Sequence, residues 1–202
     1  MIFARHGNTF GPGDKVVWVG REHDLPLVAK GHEQALALAK AFESKGWRPD
    51  AVYCASLSRT RSTAHIITEH LGLPQPVVDT RLDELDYGSW GGRGNDEILA
   101  ADPDAAAQLA AWNERDEWPS AGTWRSDRGS IMADLFDFAG ELTRHRMPLV
   151  VSSNGILRFL PRLILPAEAR PSFKMRTGHC GVIAGSRLLG WDLAPDELSG
   201  IG

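Results

Sequence analysis

An α/β fold, a three-layer sandwich with a mostly parallel central sheet and helices on both faces, is predicted by two features of the sequence. Short apolar runs of strand length alternate along the chain with segments in which apolar residues recur at helical spacing. One of those runs, "MPLVVSS", is apolar almost without a break, as a strand must be when a parallel sheet is covered on both faces. The 202 residues suit a single domain over 1–202, able to bury a substantial core, with a small helical cap inserted around residues 90–130.

The elements follow in order. "MIFA" reads as the first strand. Residues 10–30 carry Gly11, Pro12, Gly13, Gly20 and Pro26 and read as a surface loop. "GHEQALALAKAFESKGW" places Ala35, Leu38, Ala39 and Phe42 on one helical face and stops near Gly46. "DAVYCAS" is a buried strand, "SRTRSTAHIITEHLG" a helix ending at Gly72, and "PVVD" a short strand. Residues 95–146 are mostly helical, interrupted by "EWPSAGTW", where Pro119 and Gly122 punctuate. After "MPLVVSS" comes "NGILRFLPRLIL", a helix kinked or ended near Pro161, and then "CGVIAG" and "RLLGWDL" as a closing hairpin.

Composition narrows the function classes. With 43% hydrophobic and 24% charged residues the chain has the make-up of a soluble globular protein. A net charge of -4 argues against a nucleic-acid partner, and the apolar runs are too short to span a membrane. The start has no basic leader followed by an apolar stretch, which leaves the cytoplasm as the expected compartment. Cys54 and Cys180 are far apart in sequence and read as reduced, buried thiols that support no metal site.

In sheets of this kind ligands bind beyond the carboxyl ends of the strands. The polar residues there are Arg5, His6, Gly7, Asn8 and Thr9; then Ser56, Ser58, Arg59 and Arg61; then Asp83, Glu84 and Asp86; then Ser153, Asn154 and Gly155. Arg176 and His179 precede the last hairpin. An imidazole nucleophile, guanidiniums to hold phosphoryl oxygens and a carboxyl group to protonate a leaving oxygen are the parts that phosphoryl transfer needs without a metal or other cofactor.

Four stretches resemble one known family. "RHGNT" at 5–9 is similar to the Arg-His-Gly-x-Thr signature of the histidine phosphatase superfamily, the phosphoglycerate-mutase-like proteins. "DLPLVAKGHEQA", "SLSRTRSTA" and "LDELDYGSWGG" resemble its further motifs, in the same order. The resemblance implies that His6 is a nucleophile forming a phosphohistidine. It also implies that Arg5 and Arg59 bind phosphoryl oxygens and that Glu84 is the acid for the leaving group and then the base for water. Glu84 and Asp83 point opposite ways on an extended segment, and the match favours Glu84. Asn8 is a candidate to bind phosphate or to brace its own loop, and Arg61 reads as a solvated charge.

The sequence departs from the family at "VVSSNGILR". Aligned on Arg158, Ser153 stands where the family has a second histidine, and a slip of one residue would put Asn154 there. Two compensations are expected: Ser153 or Asn154 capping an anion-binding helix start, or His179 approaching the same pocket from its turn. The remaining histidines read as structural or solvated. The family's Gly-Gly-Glu-Ser-like turn is replaced by "WPSAGTWRS", and Trp112, Trp118 and Trp124 there are expected to pack a cap rather than to bind a ligand. The expected function is a metal-independent phosphomonoester hydrolase acting on a phosphorylated small molecule, or on a phosphoprotein if its cleft is open. The alternatives are a phosphoester-binding pseudoenzyme with little turnover and, less favoured, a phosphomutase.

Overall fold

The computed structural model describes residues 1–120, 122–166 and 174–201. Six strands form one sheet in the order β3-β2-β4-β1-β5-β6. They are β1 (Ile2–Arg5), β2 (Ala51–Cys54), β3 (Val77–Val78), β4 (Pro148–Ser152), β5 (Cys180–Ala184) and β6 (Arg187–Leu193). β1 and β2 both pair in parallel with β4, and β3 extends the parallel set along β2. The closing hairpin turns antiparallel, with β5 against β1 and β6 against β5. The sheet is therefore mostly parallel and the fold is α/β, with β4 at the centre and fully buried, as its apolar run requires.

The period-two alternation of the strands divides the core into two layers. Ile2, Ala4, Leu149 and Val151 face Leu38 and Phe42 of α1 (Ala29–Ser44) and Ile67 of α2 (Ser58–Leu71). Phe3 and Val150 face the other way, toward Leu135, Phe138 and Leu142 of α5 (Arg128–Leu142). α2 ends at Gly72 in the left-handed conformation, φ 61°, which gives the sharp stop its sequence signals. α1 begins at Ala29, two residues inside the stretch expected to be loop. The segment after β4 is two short helices, α6 (Asn154–Leu157) and α7 (Leu160–Ile164). The break thus falls at Arg158–Phe159, before Pro161, because proline sits comfortably in the first turn of a new helix.

The segment expected to form a cap holds α3 (Asn95–Ala101) and α4 (Ala105–Arg115), joined to α5 by a loop of which residue 121 lies outside the described residues. An aromatic cluster fastens it. The Trp124 ring lies 4.8 Å from Trp112, 5.1 Å from Trp118, 5.0 Å from Tyr87 and 5.6 Å from Trp90, all edge-on. Trp112 and Trp118 reach Phe159 behind β4 at 5.9 and 6.1 Å, so the three indoles read as cap packing do pack. Trp112 also lines the cleft described below. Trp124→Ala is expected to cost about 3–5 kcal/mol of folding stability, the range for removing a buried aromatic. Urea unfolding monitored by circular dichroism measures it, and a loss below about 1 kcal/mol would show that the cap does not depend on that ring.

Candidate active site

The parallel pairing of β1 with β4 brings their carboxyl ends side by side, and the His6 N–H donates to the Ser152 carbonyl at 3.2 Å. From that point the chain turns through Gly7 and Asn8 against the start of α1. A Cβ on Gly7 would lie 2.2 Å from the Gly31 carbonyl oxygen, and one on Gly31 would lie 2.2 Å from that of Asn8. Backbone rests on backbone there, which is why both positions are glycine. Asn8 braces the loop. Its N–H donates to Gln34 Oε1 at 2.8 Å, and its Oδ1 accepts from the Thr177 hydroxyl.

A cleft of about 860 Å³ opens at these strand ends and is lined by Arg5, His6, Asn8, Arg59, Glu84 and Tyr87, among others. The His6 ring is buried, with Nδ1 2.7 Å from the Gly7 carbonyl oxygen. A carbonyl can only accept, so Nδ1 carries the proton and Nε2 keeps its lone pair. Burial, reinforced by the charges of Arg5 and Arg59, holds the His6 pKa well below the usual 6.5 and keeps the ring neutral.

Both guanidiniums are held by backbone carbonyls. Arg59, in the first turn of α2, donates to His23 O at 3.1 Å and Gly20 O at 2.9 Å; Arg5 donates to Met175 O at 2.6 Å. Burial lowers the pKa of each, yet arginine remains a cation in such settings. The Arg5 Nε is buried and unpartnered.

Glu84 lies opposite, on the extended chain that follows a short 3-10 turn at Thr80–Leu82. Its Oε1 accepts from Leu85 N–H at 3.0 Å and its Oε2 from Gly155 N–H at 3.3 Å. Any Cβ at Gly155 would fall 2.2 Å from Glu84 Oε1, so this glycine makes room for the carboxylate. Asp83 points the other way and accepts from the Ser56 N–H and hydroxyl at 2.7 and 2.8 Å. Glu84 thus lines the cleft, and Asp83 is turned to Ser56. Asp86 accepts from Gly88 N–H at 2.9 Å, and Arg61 is exposed.

The expected compensations for the second histidine fare differently. Ser153 is fully buried and precedes α6, but its hydroxyl makes no cap hydrogen bond and has no partner. Helix α6 is a single turn, and its Gly155 N–H is already taken by Glu84, so it does not offer the free anion site expected of it. Asn154 lines the cleft, but its Oδ1 is committed to Met175 N–H at 2.9 Å. The His179 ring does not reach the cleft. Its Nδ1 lies 2.9 Å from Asp192 O, and Arg176 donates to the same aspartate at 2.8 Å. Antiparallel pairing of β5 with β6 turns this histidine toward the hairpin.

Sequence reasoning missed Tyr87. Its phenol pKa is raised well above 10 by burial, then by the charge of Glu84 and a hydrogen bond to it, so it stays a neutral donor beside that carboxylate. Its spacing of three residues from Glu84 in "ELDY" was the available signal. Arg158 was used only as an anchor for alignment, yet it lines the cleft, buried over the Trp112 ring at 4.4 Å. Cys54 and Cys180 are buried with pKa values pushed up to about 11 and about 12, inert thiols as expected. Among the described residues no group of three or more His, Cys, Asp or Glu side chains could hold a metal ion, and no helix is long and apolar enough to cross a membrane.

Comparison with known proteins identifies the family. The pattern of the histidine phosphatase superfamily (branch 1) matches residues 1–186. A 2,3-bisphosphoglycerate-dependent phosphoglycerate mutase of Chelativorans sp. (strain BNC1) is 33% identical over 185 residues, 88% of each chain. The adenosylcobalamin/alpha-ribazole phosphatase of Escherichia coli (strain K12) is 29% identical over 184 residues, 88% of this chain and 86% of the relative. Among solved structures, mycobacterial glucosyl-3-phosphoglycerate phosphatase in complex with VO3 superimposes with a TM-score of 0.76 at 25% identity, over 95% of this chain and 98% of that one. With the sequence pattern matched over most of its length and its motif residues gathered at the ends of β1, β2 and β4, the chain belongs to the histidine phosphatase superfamily.

Proposed function

We propose that the protein is a metal-independent phosphomonoester hydrolase in which His6 accepts the phosphoryl group of a small-molecule ester. The observation that carries this reading is the Nδ1–Gly7 carbonyl hydrogen bond, which leaves the Nε2 lone pair of a neutral, buried imidazole as the reactive site. A merely structural histidine has no need of two guanidiniums and a carboxylate sharing its cleft.

Nε2 attacks phosphorus, the bond from phosphorus to the ester oxygen breaks, and the leaving oxygen takes a proton from the Glu84 carboxylic acid. Water then attacks the phosphohistidine, gives its proton to the Glu84 carboxylate, and phosphate leaves with His6 neutral again. Arg5 and Arg59 hold the equatorial oxygens through both steps. Their charge is pre-oriented by backbone carbonyls, so neither step requires a metal ion. The relatives named as phosphatases support hydrolysis, and those named as mutases are the reason to test it.

The substitution at Ser153 favours a second reading, a binder with little turnover, because losing one such donor costs about 10²–10³ in rate. Assay with p-nitrophenyl phosphate separates the two. His6→Ala is expected to abolish turnover with the fold retained by circular dichroism, and Glu84→Gln to slow it by about 10²–10⁴. Turnover that survives in His6→Ala would refute the mechanism. Tight vanadate binding without turnover in the wild type would leave the binder. EDTA is expected to change nothing, and a loss of rate restored by one added metal would overturn the metal-free chemistry.

The depressed His6 pKa has two measurable consequences. The acid limb of kcat/KM is expected well below pH 6.5, the ordinary value for histidine, because the nucleophile stays unprotonated to that point. Stability responds too. As pH falls through 6.5 the unfolded chain binds a proton on His6 that the folded chain refuses, so folding free energy declines until the folded-state pKa is reached. His6→Asn is expected to flatten that decline, read from urea midpoints between about pH 7 and pH 5. Identical slopes for both proteins would show that His6 is not held neutral.

A further inference from the structure

We infer that Gln34 is a positioning residue for the nucleophile, acting on His6 through the peptide group that joins Gly7 to Asn8. This rests on the reading of His6 as the phosphoryl acceptor and names what fixes its reactive tautomer.

The two polar atoms of that peptide have partners on opposite sides. Its carbonyl, from Gly7, lies 2.7 Å from His6 Nδ1, and its N–H, from Asn8, donates to Gln34 Oε1 at 2.8 Å. The amide is planar and stiff, so a partner that fixes the N–H also fixes where the carbonyl points. That partner polarises the group as well, since an engaged N–H makes the carbonyl of the same amide a better acceptor. Gln34 Oε1 thereby strengthens the bond that keeps the proton on Nδ1 and the lone pair on Nε2.

The Gln34 amide is itself held in one orientation. Its Nε2 donates to the Thr177 carbonyl at 3.1 Å, and the Thr177 hydroxyl donates to Asn8 Oδ1. Turning the amide over would set its NH2 against the Asn8 N–H and its oxygen against the Thr177 carbonyl. The turn beyond Thr177 rests on the same side chain, where a Cβ on Gly178 would lie 2.6 Å from Gln34 Cβ. The Gly178 N–H donates in turn to the His6 carbonyl at 3.1 Å. On α1, Gln34 stands one turn after Gly31, which already meets the Asn8 backbone. The "GHEQA" stretch thus supplies a glycine for close approach and, one turn on, an amide that holds the loop's peptide.

Nitrogen-15 spectra of the histidine rings read the tautomer directly, with the His6 signals identified by their absence in His6→Asn. Wild-type His6 is expected as the Nδ1–H tautomer. Gln34→Met keeps bulk against Gly178 and removes both polar bonds. It is expected to move the Nδ1 proton resonance upfield and to populate the Nε2–H tautomer. Gln34→Glu keeps an oxygen toward the Asn8 N–H and gives it charge, so it is expected to retain the tautomer and move that proton downfield. An unmoved His6 signal in Gln34→Met overturns the role of Gln34; should that variant not fold, an unmoved signal in Gln34→Glu does so. In parallel, kcat/KM of Gln34→Met for p-nitrophenyl phosphate is expected to fall about 10- to 100-fold, the scale on which a misplaced reacting group costs rate. Affinity for inorganic phosphate, measured by calorimetry, is expected to stay at the wild-type value, and a loss equal to the loss of rate would show a merely structural role. Hydrolysis with an unmoved His6 signal rejects the role of Gln34 alone, and a moved signal without wild-type turnover rejects the hydrolase alone.

Discussion

The parallel pairing of β1 with β4 is the constraint on which the site depends. It aligns Arg5 with Ser152 and lets the first residue beyond β1, His6, hydrogen-bond to the last residue of β4. β4 pairs on its other side with β2, whose end leads directly into α2 and Arg59. Three strand ends, far apart in the chain, thereby bring His6, Arg59 and the turn that receives Glu84 to one place. The tight steric fit of Gly7 against Gly31 and of Gly155 against Glu84 leaves little freedom for that geometry to drift.

Burial then sets the chemistry. An imidazole near the surface would be partly protonated near neutral pH, and as a cation it is no nucleophile. Enclosed beside two guanidiniums, His6 is held neutral, and its one N–H is spent on the Gly7 carbonyl. The guanidiniums are costly to bury and are retained by donating to carbonyls of loops that fold over the cleft. Folding thus holds two cations beside a neutral imidazole in one enclosed cleft.

The position of the family's second histidine shows how far local reading extends. The replacement by Ser153 is plain in the sequence, and so are three candidates to compensate for it. What each can offer is decided by contacts more than ten residues away: Asn154 is committed to Met175, His179 to Asp192, and the Gly155 N–H of the helix that Ser153 precedes to Glu84. Such pairings are set by how β6 lies on β5 and how the 80s loop crosses α6, and no local pattern encodes them. Arg158 escaped notice as a cleft residue for the same reason, since only the packing of α4 over α6 brings Trp112 beneath it.

What the sequence alone determined is the α/β alternation, the central position of the "PLVVS" strand, the stop at Gly72 and the identity of Arg5, His6, Arg59 and Glu84 as a set. The first three follow from short-range physics, namely side-chain periodicity and glycine's access to the left-handed region, and the set of four follows from the resemblance of its motifs to a known family. Tertiary structure alone decided the tautomer and neutrality of His6, the commitment of Asn154 and His179 elsewhere, and the contact of Arg158 with Trp112 at the cleft wall. Those depend on desolvation and on the placement of partners distant in sequence, quantities that exist only once the layers have packed.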